Sequence, residues 1–251
     1  MKTYRTIVII LVCGIWKIVK LEWRIARCGY NVRCETKACA KMLSVYSVQI
    51  RLNTQIYIKF ISARLISMQN ILFFGNSLTA GYGLGNAATE SFPAIIGSKI
   101  NAAGMQYQVT NAGLSGDTTS GGLSRLDYWL SKPVNVFILE LGINDIRRGV
   151  PPATIANNLQ AIVDKVKANY PHAKLLMLGM EIPPILGGAI AIQFNAIYRK
   201  LAKANQMALV PFLLQGVAGQ KHLNLWDRLH PSAEGYKVVA ELVWPAIKPL
   251  L

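Results

Sequence analysis

Cysteine is confined to the front of this chain: Cys13, Cys28, Cys34 and Cys39 are all it has in 251 residues. No C-x-x-C spacing joins them and no histidine lies near, which argues against a zinc site. A disulfide among them stays open in an oxidising compartment, whereas everything after Cys39 needs no redox chemistry to fold. Acidic residues are scarce too, 12 against 27 Lys and Arg, and histidines number 3. Charged residues make up only 16% and apolar ones 52%, which excludes disordered and collagen-like chains and leaves material for a sizeable core. The apolar run Ile7–Trp16 stops at Lys17, short of the roughly 20 residues a spanning helix needs. Two common signatures are absent: the G-x-S-x-G elbow of α/β-hydrolases and a Walker lysine loop. Gly83–Ala88 matches a loose G-x-G-x-x-A, but nine residues beyond the nearest strand and without the acidic partner a dinucleotide site needs.

The basic excess is uneven. Residues 1–67 hold 12 of the Lys and Arg and 2 of the Asp and Glu, a net +10 out of +15. Three readings of this segment stay open. Basic residues beside apolar ones suit an export or membrane-surface extension, which would place the protein in the periplasm or cell envelope. Nucleic-acid binding lacks any recognised motif. Alternatively, translation starts at Met68, two residues before a strong strand, and the product is cytoplasmic. The expected organisation is therefore an extension, 1–67, and one domain, 68–251.

In that domain short apolar runs alternate with amphipathic stretches. Ile71–Phe74, Tyr107–Thr110, Val134–Leu141, Lys174–Met180 and Ala208–Phe212 read as strands. The third and fourth are almost wholly apolar, as parallel strands covered on both faces are. Helices are expected at about 89–103, 119–131, 189–206 and 232–248. Another carries Ile155, Leu159, Ile162, Val163 and Val166 on one face and is closed by Pro171. Five alternations of strand and helix predict a three-layer α/β/α sandwich with a five-stranded parallel sheet. Sites in such sheets lie beyond the carboxyl ends of the strands.

Four junctions there are rich in polar and glycine residues: Gly75-Asn76-Ser77-Leu78, Asn111-Ala112-Gly113, Gly142-Ile143-Asn144-Asp145 and Asp227-Arg228-Leu229-His230. Together they hold the parts of a serine hydrolase. A hydroxyl needs a base to take its proton, and the base needs a third group to orient it. Asp227 and His230, three apart in a turn, can supply both. The developing oxyanion needs fixed donors, which the Ser77 amide, the unobstructed Gly113 amide and the Asn144 side chain can provide. Taken singly, Ser77 is an ordinary helix cap, Asp227–His230 a loop ion pair, and Asn144 and Asp145 turn formers. Ser115 is the reserve nucleophile.

With FFGNSLTAGYGL, NAGLSGDT, LELGINDIRRG and the Asp227–His230 block in this order, residues 69–251 resemble the SGNH/GDSL hydrolases, in particular the bacterial thioesterase I, arylesterase and lysophospholipase group. The resemblance implies a flavodoxin-like sheet, Ser77 as nucleophile, His230 as base, Asp227 as its partner, and Ser77, Gly113 and Asn144 as the oxyanion hole. It implies no metal and no organic cofactor. The expected activity is hydrolysis of acyl esters or thioesters, lysophospholipids included, through an acyl-serine. Apolar Ile182, Pro183, Pro184 and Ile185 are the expected substrate-binding residues. A carbohydrate O-deacetylase and a catalytically silent binding domain are the alternatives. Where the family usually reads Gly-Asp-Ser-Leu, position 76 is Asn. Asn keeps an acceptor oxygen, adds a donor and removes a charge, so the turn is expected to survive.

Overall fold

The computed structural model describes residues 68–251. The extension expected at 1–67, with its export and membrane-surface readings, lies outside the described residues. Five strands, β1 (Gln69–Gly75), β2 (Tyr107–Gly113), β3 (Val136–Glu140), β4 (Lys174–Leu178) and β5 (Ala208–Val210), form one sheet in the order β2-β1-β3-β4-β5, parallel throughout. The chain order reverses at β1, with β2 on one side and β3 on the other, and that reversal opens the crevice where such sheets place their sites.

Between the strands run α1 (Ser77–Ala80), α2 (Ala87–Glu90), α3 (Phe92–Ala102), α4 (Thr119–Trp129), α5 (Ile143–Arg147), α6 (Pro152–Asn169), α7 (Pro184–Asn205) and α8 (Ala233–Ile247). α3 packs with α8, and α4, α6 and α7 pack in series, which makes two helical layers around the sheet. All five residues of β3 are buried, Glu140 among them, as a strand covered on both faces requires. The apolar stripe of α6, Ile155 to Val166, is fully buried against this core.

Two expected helices differ in detail. The one expected at 89–103 is split at extended Ser91 (φ −65°, ψ 150°), because Pro93 has no N–H to continue a helix from its N-terminal side. The one expected from 189 starts earlier, at Pro184, but Gly188 (φ 53°, ψ −135°) interrupts it, so its regular part begins where the periodicity does. Strands three, four and five are shorter than their apolar runs: Leu141 and Met180 are buried beyond the paired residues, and β5 stops at Val210, before Pro211, which has no N–H for the ladder. Among the described residues no helix is long and apolar enough to cross a membrane.

Candidate active site

Parallel register brings the first two junctions and the third to one line. Gly75, the last residue of β1, pairs with Gly113 of β2 on one side and Glu140 of β3 on the other. Both glycines are obligatory by space. A Cβ on Gly75 would sit 2.1 Å from Thr79 Oγ1 and 2.7 Å from the Glu140 carbonyl oxygen, and one on Gly113 would sit 2.2 Å from the Ala80 nitrogen. The chain can therefore turn sharply out of β1 into α1. Asn76 caps that helix, its Oδ1 accepting from Leu78 N–H at 2.9 Å. Ser77 is thus placed at the first turn of α1, directly above the sheet.

The hydroxyl of Ser77 meets a residue 153 positions away. Its Oγ lies 2.8 Å from His230 Nε2, and His230 Nδ1 lies 2.6 Å from Asp227 Oδ2. Asp227 Oδ1 accepts from the N–H groups of Leu229 at 2.9 Å and His230 at 3.1 Å, which folds the turn around the carboxylate. Burial alone would raise the Asp227 carboxyl, but donation from the His230 ring and these two N–H groups outweighs it and brings the pKa to about 2. That tight turn requires a left-handed residue at Arg228 (φ 60°), a conformation that a non-glycine residue adopts at a cost of roughly 1–2 kcal/mol. The Tyr82 ring leans on the imidazole, centroids 4.7 Å apart.

The three oxyanion-hole candidates converge on the same crevice with different commitments. Ser77 N–H has no hydrogen-bond partner among the described residues. Gly113 N–H donates to Asn111 Oδ1 at 2.9 Å, and Asn144 Nδ2 spends one of its two N–H bonds on the Asp117 carbonyl at 2.9 Å. Asn111 also donates to the Thr79 carbonyl at 2.8 Å, so it ties the end of β2 to α1. Sequence reasoning gave Asn111 no role, although its place in the Asn-Ala-Gly junction was the available signal. Two other residues support the crevice without reaching Ser77. Arg125 pairs with Asp117 at 2.7 Å and donates to the Ala112 and Gly75 carbonyls, which closes the ends of β1 and β2. Asp145 accepts from Thr119 N–H and Oγ1–H, a buried structural contact.

Glu140 is the second residue the sequence did not mark. It is fully buried, and its carboxyl takes three donors from the nucleophile turn: Asn76 Nδ2 at 2.7 Å, Asn76 N–H at 3.1 Å and Thr79 Oγ1–H at 2.9 Å. Burial outweighs these bonds and pushes its pKa up to about 7. Ile182, Pro183, Pro184 and Ile185 leave the carboxyl end of β4, the same end of the sheet as Ser77. The two prolines and Ile185 are exposed, and Asn195 clamps both the N–H and the carbonyl of Ile182. Ser115 is exposed and makes no contact with a histidine, and no group of three or more His, Cys, Asp or Glu among the described residues is arranged to hold a metal.

Comparison with known proteins agrees with this fold. The model of the GDSL-like lipase/acylhydrolase family matches residues 73–238. Esterase TesA of Pseudomonas aeruginosa is 38% identical over 185 residues, 73% of this chain and 90% of its own length. Thioesterase 1/protease 1/lysophospholipase L1 of Escherichia coli K12 is 30% identical over 78% of this chain and 91% of its own. A crystal structure of TesA superposes with a TM-score of 0.68 at 36% identity, covering 73% of this chain and all of that one. A parallel sheet of this order, a serine hydroxyl on a histidine–aspartate pair and relatives of this closeness lead to one statement: the chain belongs to the GDSL-like lipase/acylhydrolase family and is an ester-cleaving serine hydrolase of the SGNH type.

Proposed function

We propose that Ser77 is the nucleophile, His230 the base and Asp227 its orienting partner in hydrolysis of acyl esters and thioesters, lysophospholipids included. The observation that carries this reading is the unbroken relay from Ser77 Oγ through the His230 ring to Asp227, with contacts of 2.8 and 2.6 Å. With Nδ1 protonated and held by Asp227, Nε2 takes the hydroxyl proton as Oγ bonds to the acyl carbon. The carbonyl oxygen becomes an oxyanion that Ser77 N–H, Gly113 N–H and the free N–H of Asn144 Nδ2 can receive. A full negative charge is a stronger acceptor than the neutral Asn111 amide, so it draws the Gly113 N–H away as charge develops. His230 then returns the proton to the leaving alcohol or thiol, and water repeats the sequence to release the acid.

Exposed apolar side chains flank the site residues along the chain, Leu114 after Gly113, Trp226 before Asp227 and Leu229 before His230, and the Tyr82 ring packs on His230. Such a surround favours an acyl chain over a sugar. Peptide mapping after reaction of the full chain with a fluorophosphonate probe tests the reading. A single adduct on Ser77, lost in Ser77→Ala together with turnover, is expected. An adduct on Ser115, or none on folded protein, overturns it. Hydrolysis of p-nitrophenyl esters should extend to chains longer than acetyl, and a sharp preference for acetyl would favour the O-deacetylase.

A further inference from the structure

Glu140 touches neither Ser77 nor His230 in the hydrogen-bond network, yet its carboxyl holds Asn76, the residue beside the nucleophile, by two bonds and Thr79 of the same turn by a third. The donor inventory of Asn76 fixes what this contact does. An amide side chain has one oxygen and one NH2 group, and which end points where depends on the partners. At Leu78 the partner is an N–H, which demands the oxygen. At Glu140 the partner is a carboxyl oxygen, which accepts from the NH2. The two ends agree, and the amide has one satisfactory orientation. In it, Oδ1 caps α1 and also lies 3.4 Å from Ser77 Oγ.

We infer that Glu140 is a positioning residue for the nucleophile, acting through Asn76 as a pair that must carry one bridging proton across the Nδ2–Oε1 contact. Here that proton belongs covalently to the Asn76 amide. The inference rests on Ser77 being the nucleophile. Replacing Glu140 with Gln sets an NH2 group against either Asn76 Nδ2 or the Asn76 and Thr79 donors, so one buried donor always faces another. Turning the Asn76 amide over only moves the conflict to Leu78 N–H. An Asp at position 76 would set two carboxyl groups about as close as the present 2.7 Å, and they would share a proton. The raised pKa of Glu140 is in keeping with a site that rejects a second negative charge. The titratable groups that feel Glu140 are the hydroxyls of Tyr198 from α7 and Tyr236 from α8, which burial and the nearby carboxyl keep protonated, so neither brings a cation to it. The Arg125 guanidinium is bound to Asp117 and two backbone carbonyls. Combining Asn76→Asp with Glu140→Gln restores the match. The new amide's Nε2 donates to one oxygen of the new carboxylate, whose other oxygen caps Leu78, and the amide's Oε1 accepts from the N–H of residue 76 and from Thr79.

The test measures ester kinetics and the rate of fluorophosphonate labelling in the full chain and in Glu140→Gln, Asn76→Asp and the double variant. Labelling of the wild type at Ser77 shows that the functional reading stands, and the variants then judge the pairing alone. Glu140→Gln is expected to lower kcat and labelling rate by about 10–100-fold with KM little changed, the scale of a misplaced reacting group. Asn76→Asp keeps activity within about fivefold at pH 7, because the buried pair retains one proton. The double variant recovers most of what Glu140→Gln loses. If Glu140→Gln does not fold, a folded and active double variant makes the same point. Wild-type labelling in Glu140→Gln, or a double variant no more active than the weaker single one, overturns the inference.

Discussion

The two oxygens of Asp227 divide their work: Oδ2 receives the His230 ring, and Oδ1 receives the N–H groups that fold the turn. Asp227→Asn should therefore cost more than one contact. An amide can offer its NH2 to His230 Nδ1 and stabilise the wrong tautomer, and kcat is expected to fall by on the order of 10³–10⁴ in steady-state ester assays. Stability carries a second signature. Because the folded carboxyl titrates near 2, below its ordinary 3.8, the stability it contributes is complete above that ordinary value and is lost as pH falls through about 2. Urea midpoints at pH 5 and pH 2 should show a smaller acid loss in Asp227→Asn than in the parent. Ser77, Asp227 and His230 stood out in the sequence as candidates because the residue types and their junctions are local features, and the structure brings them within hydrogen-bond distance. Asn111 and Glu140 did not, because each is defined by a partner on another strand end or turn, Thr79 for one and Asn76 for the other.

Elements end where local chemistry tells them to, with exceptions that the structure explains. Thr118 and Ser232 cap α4 and α8 through their side chains, and α1 begins under Asn76. At the far end of α7, Gln206 takes the left-handed position (φ 56°) that glycine fills most easily, and its side chain is exposed and makes no hydrogen bond among the described residues. Gln206→Gly should stabilise the fold by about 0.5–1 kcal/mol, the relief of left-handed strain less the added freedom of the unfolded chain. Thermal denaturation checks this, with ester hydrolysis unchanged as the expected companion result. The break at Ser91 and the interruption at Gly188 show why helix boundaries were read less well than helices. Periodicity reports which face is buried and says little about a single residue that leaves the helix and returns.

For the whole molecule, the sheet is both the core and the scaffold of the site. Ile138 lies at the middle of β3, between β1 and β4 and 1% exposed. Ile138→Ala should lower stability by about 2–5 kcal/mol in denaturant titration, the loss of a buried side chain plus the cavity it leaves. Activity per folded molecule should stay near the parent's, since the substitution lies below the strand ends that bear the site. The sequence by itself determined the succession of buried strands and amphipathic helices, and it placed a serine and an asparagine at strand ends and an Asp/His pair in the loop before the last helix. Those are consequences of periodicity and of residue chemistry over a few neighbours. Only the tertiary structure decided which junctions meet. Strand order 2-1-3-4-5 and a register that aligns Gly75 with Gly113 and Glu140 bring distant turns to one crevice, where His230 closes on a hydroxyl 153 residues away. Contacts of that span depend on how layers pack, and no local pattern encodes them.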